Sequence, residues 1–277
     1  MRSSMHGRGL GWHDTVAPPM MLESKPRKCG LTMAIDKGLG LNALTDLLDM
    51  AGQHIDFLKL GFGTSLMYPP GILEDKIALA HRYSVALYPG GTLLEVAEIQ
   101  NKAEAWLDRL CRLGFNVVEI SDGTISLTPQ RRRSLIQAAV SRGLRVITEV
   151  GKKEKGYRFN VEDVHAQIAA DLESGAERVI IEARESGRGV GVFDAGGEAD
   201  LELIERIVEG IADPTTVIWE APLVSQQQQL ILMFGANVNL GNVQVDDVIT
   251  LAATRAGLRG DTFRHYAGRM LKECGNA

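Results

Sequence analysis

The sequence predicts an α/β fold, a (β/α)8 TIM barrel in a single domain. Three observations carry this. Short β-branched runs are apolar at nearly every position, as parallel strands buried on both faces must be. Each run stops abruptly at charged or glycine-rich residues, and helix-like segments separate the runs with a period of about 30 residues. Eight such units fit a chain of 277 residues, near the usual barrel length of about 250.

Strand one is Leu31–Ile35, and Leu41 to Leu48 follows with apolar residues at helical spacing. Strand two is Ile55–Leu60, and the next helix covers Leu73–Arg82. Strand three, Ser84–Tyr88, runs into Pro89-Gly-Gly-Thr92 and a long helix to Leu113. After strand four, Phe115–Ile120, Thr128 reads as an N-cap with Pro129 at the first helical position. Strand five begins at Val146 and delivers Glu149, Lys152 and Lys153 to its carboxyl end. Its helix carries Val161, Val164, Ile168 and Leu172 on one face and stops at Gly175. Strand six is Arg178–Glu182, followed by the glycine-rich loop Gly187–Gly197 and the helix Asp200–Glu209. Strand seven, Thr216–Glu220, leads to a helix through Gln226–Gln229. Strand eight lies near Ala236–Leu240, before the helix Val245–Arg255. Residues 1–25 read as a poorly ordered extension and residues 26–277 as the barrel domain.

An apolar fraction of 45% is ordinary for a globular protein with a sizeable core. The net charge of −5 argues against a nucleic-acid partner. Arg131-Arg-Arg133 is a short helix-face cluster without aromatic neighbours. Cys29, Cys111 and Cys274 have no metal-ligand spacing and no disulfide framework, which points to a reducing compartment. No signal peptide or membrane-length apolar run is present, so a cytoplasmic location is expected.

Glu119, Glu149, Glu182 and Glu220 fall at the ends of strands four to seven. Carboxylates converging on a barrel mouth repel unless something positive sits among them. Two readings satisfy this: Mg²⁺, a hard cation held by a few carboxylates and substrate oxygens, or a cluster neutralised by lysines. Lys37, Lys59, Lys152 and Lys153 stand at strand ends one, two and five. Lys59 lies inside an apolar strand and belongs to the site; one of Lys152 and Lys153 points away. The loops Gly61 to Ser65, Pro89-Gly-Gly-Thr92, Arg184-Glu-Ser-Gly187 and Asn239-Leu-Gly-Asn242 can present backbone N–H groups to an anion. Barrel phosphates often sit by the last two strands, which favours Asn239, Gly241 and Asn242 with Arg184, Ser186 and Gly187, beside Gly91 and Thr92. No histidine lies at a strand end, which argues against histidine acid–base chemistry.

Together the motifs resemble the phosphosulfolactate synthase family. The residues that carry the resemblance are Leu31-Thr-Met-Ala-Ile-Asp-Lys-Gly38, Lys59-Leu-Gly-Phe-Gly-Thr-Ser65, Tyr88-Pro-Gly-Gly-Thr92 with Glu95, and Val118-Glu-Ile-Ser-Asp-Gly123. They continue through Thr148-Glu-Val-Gly-Lys-Lys153, Ile181-Glu-Ala-Arg-Glu-Ser-Gly187, Glu220-Ala-Pro222, Val238-Asn-Leu-Gly-Asn242 and Gly257-Leu-Arg-Gly-Asp-Thr-Phe263. The resemblance implies a (β/α)8 barrel that uses Mg²⁺ to add sulfite to phosphoenolpyruvate, giving (2R)-phospho-3-sulfolactate, an early step toward coenzyme M. It implies phosphoenolpyruvate and sulfite as partners; no nucleic acid and no membrane are expected, and a homo-oligomer is. It points to Lys153 as the general acid, with Lys152 its rival and Asp36, Lys37 and Lys59 as further catalytic candidates. Burial and neighbouring cations can lower a lysine pKa into range for that role. The alternatives are a Schiff-base aldolase built on Lys59 and a non-catalytic relative of a plant heat-stress-associated protein.

Overall fold

The computed structural model describes Trp12 and residues 15–154 and 156–274. Eight parallel strands form one sheet: β1 (Thr32–Asp36), β2 (Phe57–Leu60), β3 (Ala86–Pro89), β4 (Val117–Ile120), β5 (Arg145–Val150), β6 (Arg178–Ile181), β7 (Val217–Glu220) and β8 (Leu240–Gln244). Hydrogen-bonded neighbours run β3-β2-β1-β8-β7-β6-β5-β4, so the first and last strands pair. The sheet curls into a nearly closed barrel whose seam lies between β3 and β4. There the Gly91 N–H donates to Glu119 Oε1 at 2.7 Å.

Around it run α1 (Leu41–Ala51), α2 (Ile72–Arg82), α3 (Thr92–Ile99), α4 (Ala103–Leu113) and α5 (Pro129–Ser141). After these come α6 (Val161–Glu173), α7 (Leu201–Glu209), α8 (Val224–Phe234), α9 (Val248–Arg255) and α10 (Gly260–Cys274). Side-chain caps start several of them: Thr128 accepts from Arg131 N, Asn160 from Glu162 N and Asp163 N, and Asp200 from Leu203 N. Each satisfies amides that the first helical turn leaves orphaned, worth about 1 kcal/mol. No helix of the described residues is long and apolar enough to cross a membrane.

Side chains alternate across each strand, and this periodicity builds the site. Phe57, Val117, Ile147, Ile180 and Ile218 join Leu31, Met33, Ala86 and Tyr88 in a cluster that plugs the barrel interior. Full burial of each large member stabilises the fold by about 1.5–3 kcal/mol. Two residues further along the same strands come Lys59, Glu119, Glu149, Glu182 and Glu220, which therefore also face inward, at the carboxyl end. All five are buried.

Four departures from the sequence expectations matter. Strand eight lies further along the chain, at Leu240–Gln244, because its glycine and asparagine hide the strand pattern. The helix expected from Thr92 to Leu113 is two helices, broken where Asn101 takes a φ of 55°. The helix Gly260–Cys274 was not foreseen. Residues 1–11, 13 and 14 of the expected extension lie outside the described residues, but its later part is anchored. Met20 N donates to Ala256 O at 3.2 Å, and Lys25 Nζ to Gly52 O at 2.8 Å.

Candidate active site

The carboxyl ends of the strands enclose a cavity of about 240 Å³, whose lining includes Lys59, Glu119, Lys153, Glu182, Arg184 and Glu220. Lys59 Nζ lies 3.0 Å from Glu119 Oε2 and 3.4 Å from both Glu149 Oε2 and Glu220 Oε1. Lys153 Nζ lies 3.0 Å from Glu149 Oε1 and 3.5 Å from Glu182 Oε2. Four buried carboxylates thus meet two ammonium groups at the base of the cavity.

Burial alone would lower both lysines, but the surrounding carboxylates outweigh it and hold Lys59 and Lys153 above the ordinary lysine value. The lowering expected from desolvation is therefore not what this geometry gives; the sequence could not show how many acids each lysine faces. Burial also works to raise Glu149, yet Lys153 and Lys59 together hold it low, so it is ionised. Glu182 goes the other way: burial, reinforced by Glu149 and Glu220, raises it well above the usual carboxylate range. Burial raises Glu220 as well, against the pull of Lys59.

Among the described residues, Glu149, Glu182 and Glu220 form a group whose carboxylate oxygens lie within 4.8 Å of one another. Glu119 Oε2, Glu149 Oε1 and Glu182 Oε2 are buried without a well-directed hydrogen bond. Four buried carboxylates against two ammonium groups leave a surplus of negative charge, the donor set a hard divalent cation takes, so the residues fit Mg²⁺. Glu119 stands apart from that trio, because Gly91 N and Lys59 hold its two oxygens.

The adjacent lysines separate. Lys152 Nζ donates to Asp122 O at 2.6 Å, Asp122 Oδ2 at 2.7 Å and Ile125 O at 3.1 Å, which fastens the β4–α5 loop. It is an anchor outside the lumen, and Lys153 is the one that enters. Asp36 is likewise not brought into the lumen. Its Oδ2 meets Lys76 Nζ at 2.5 Å and its Oδ1 accepts from Gly38 N and Leu39 N, so it ties β1 to α2. Lys37 stays at the rim, paired with Glu185 at 2.7 Å across the mouth.

Asn239 is misplaced by the sequence reading. It precedes β8 and knits the amino ends of the strands, accepting from Leu31 N and donating to Thr215 O and Val217 O. Gly241 lies within the barrel wall, where a Cβ would come 2.4 Å from Met33 Cε. Asn242 does reach the cavity; it has a φ of 53°, and its buried Oδ1 has no hydrogen-bond partner. Arg184 and Ser186 line the mouth, and the Arg184 guanidinium has no partner among the described residues. Gly187 is packed behind them against Gln226 and Pro222. Gly91 and Thr92 line the opposite wall, and a Cβ at Gly91 would meet Ser121 Oγ at 2.2 Å.

A family model described as (2R)-phospho-3-sulfolactate synthase (ComA) matches residues 21–261. The chain belongs to the phosphosulfolactate synthase family. It is 42% identical over 236 residues to the phosphosulfolactate synthase of Methanocaldococcus jannaschii, a match covering 84% of this chain and 94% of that protein. It is 21% identical over 247 residues to the protein HEAT-STRESS-ASSOCIATED 32 of Arabidopsis thaliana, covering 78% of this chain and 82% of that one. Among solved structures, 3-hexulose-6-phosphate synthase from Salmonella typhimurium superposes with a TM-score of 0.53 at 16% identity. That match covers 82% of this chain and 93% of the other, and it is a likeness of fold alone.

Within this member of the phosphosulfolactate synthase family, sequence reasoning missed two kinds of residue. Ile35, Phe62 and Glu185 line the cavity from within the quoted motifs, but none is singled out there as a site residue. Arg132 hides in an apparently solvated triplet, yet it is buried: it binds Asp171 through Nη2 at 2.6 Å, Asp122 at 2.9 Å and the Glu149 carbonyl at 2.9 Å. The helix-face cluster Arg131-Arg-Arg133 thus has a central member that turns into the protein. Its apolar neighbours Leu135, Ile136 and Ala139, at helical spacing from it, were the available signal.

Proposed function

We propose that this chain is a phosphosulfolactate synthase that adds sulfite to phosphoenolpyruvate with the help of Mg²⁺, giving (2R)-phospho-3-sulfolactate. The carrying observation is the lumen: two protonated lysines and a surplus of buried carboxylates, reached through a mouth bearing an unpaired arginine. Family membership supports the same reading.

Sulfur attacks the methylene carbon of phosphoenolpyruvate, and the double-bond electrons move toward the carboxylate as an enolate-like charge develops. A proton then joins the neighbouring carbon. Held by Glu149, Glu182 and Glu220, Mg²⁺ would supply positive charge against that developing anion. Lys153 keeps its proton in the free site, as a general acid must, and reaches the lumen from one wall, so it delivers the proton to one face. Lys59, opposite the acids of β4, β5 and β7, fixes their carboxylates. Arg184 binds an anionic group bidentately at the mouth, with Asn242 and the Gly91–Thr92 turn lining the rest.

The Schiff-base reading fares worse. An attacking lysine must be neutral, and three carboxylates within 3.4 Å keep Lys59 charged. The deciding assay is direct: phosphoenolpyruvate, sulfite and Mg²⁺, with the product identified by mass. Product that forms with Mg²⁺ and disappears with a chelator supports the proposal. No product under either condition refutes it and leaves a non-catalytic role.

A further inference from the structure

At the other end of the barrel, the amino ends of β2 to β5 and the segment before β1 surround a second cavity of about 540 Å³. Its polar wall consists mainly of donors. Arg27 gives Nε to Asp56 Oδ1 and Nη2 to Gln53 O, which leaves Nη1 without a partner among the described residues. Arg145 gives Nε and Nη2 to Glu177, which likewise leaves Nη1. The side chains of His81, Ser84 and Asn116 also line the cavity without a hydrogen bond among the described residues. The one carboxylate in the wall, Asp56, is committed to Arg27 and to Thr32 N.

Lys25 adds positive charge, its ammonium seated on the carbonyls of Gly52, Tyr83 and Ser84. Leu31, Phe57 and Ala86 supply an apolar base. Ser84 holds a φ of 53° at the edge, a left-handed backbone in a residue that is not glycine. Strain of this kind gathers where ligands bind.

We propose that this cavity binds a small molecule carrying an oxyanion, a phosphate or a sulfonate. A guanidinium fork is the group best matched to such an anion, and here two of them have an N–H to spare. The volume lies within the range of small-molecule sites, roughly 300–1,000 Å³. The position excludes a substrate in turnover, because barrel chemistry occurs at the carboxyl ends of the strands. Phe57 is in the base of this cavity and Lys59, two residues on, is in the active-site lumen, so one strand touches both.

The test is calorimetric titration of the full chain with inorganic phosphate. Phosphate also suits the mouth, so Arg184→Gln is titrated beside Asn116→Asp. The latter places a carboxylate where the anion would sit, on a side chain that is exposed and free to change. Asn116→Asp should weaken one phosphate site tenfold or more with kcat unchanged, and Arg184→Gln should leave that site intact. Ser84→Asp, an acid that tolerates the left-handed backbone, should act alike from the other wall. Titrations of Asn116→Asp and Ser84→Asp that match the wild type overturn the proposal. So does loss of all phosphate binding in Arg184→Gln, or no binding in the wild type.

Discussion

Replacing Lys153 by methionine separates the proposed proton donor from the shape of the site. Methionine keeps most of the stem that lies over Gly123, where the Lys153 side-chain carbons come within 3.1 Å of a Cβ position. The ammonium, 3.0 Å from Glu149 Oε1 and 3.5 Å from Glu182 Oε2, is lost. Removing one partner of a buried pair costs about 3–5 kcal/mol. Here the expected cost is lower, about 2–3 kcal/mol, because Lys59 remains 3.4 Å from Glu149. That lowers the melting temperature by about 4–6 °C for a domain of this size. Activity should fall much further than stability accounts for. General acid catalysis contributes about 10²–10⁴-fold, or roughly 3–5 kcal/mol of barrier.

Lys152→Met gives the opposite pattern. It frees the Asp122 and Ile125 carbonyls and costs about 1–3 kcal/mol of stability, with kcat nearly retained. Steady-state kcat and KM for both substrates are measured at fixed Mg²⁺, below the melting transition of each variant. A Lys153→Met enzyme whose kcat stays within about tenfold of wild type, a loss of only about 1.4 kcal/mol, refutes the assignment.

Arg184→Lys should raise KM for phosphoenolpyruvate or sulfite by about tenfold, since lysine cannot form the bidentate fork; unchanged KM for both removes it from the site. Glu182→Gln should disturb the melting temperature of the metal-free protein less than Glu149→Gln does, because burial and the neighbouring acids raise the Glu182 carboxyl and so favour the neutral form that glutamine mimics. Glu149→Gln should lower it by about 5 °C or more, since the ionised form is what Lys153 and Lys59 pair with; equal effects would contradict the charge assignment. Lys76→Met, which strands the Asp36 carboxylate at a fully buried ion pair, should cost about 3–5 kcal/mol in urea unfolding with a normal KM. Gly91→Ala should cost about 1–3 kcal/mol and reduce kcat, because the new methyl meets Ser121 Oγ and lies 2.9 Å from Glu119 Oε1; a fully active, equally stable variant would show that this wall yields.

The barrel was legible because its signal is redundant. Seven apolar strands announce themselves, and the eighth is the one whose composition, Leu-Gly-Asn-Val-Gln, departs from the pattern. Gly241 is there because Met33 leaves no room for a side chain, a fact of packing across the barrel that local sequence does not contain. The inward acids were legible for the same reason as the core, since each follows an apolar plug residue by two positions. Which lysine of Lys152 and Lys153 turns inward was not, because that depends on Gly151, with a φ of 126°. Asp36 and Asn239 sit in motifs like the others, and only their partners, Lys76 and the Thr215 and Val217 carbonyls, reveal them as structural.

The seam between β3 and β4 makes this molecule a curled sheet whose two margins meet at the middle of the chain. Its terminal strands, far apart in sequence, are laced by backbone bonds, while strands that follow one another touch through a carboxylate. Glu119 is at once a wall of the lumen and the clasp across that slit. Any ligand that draws its carboxylate inward therefore tugs on the fastening, and occupancy of the mouth becomes a mechanical load on the margin. Amide exchange along Ala86–Pro89 and Val117–Ile120 would register that load as a change in breathing, with no movement required elsewhere in the wall.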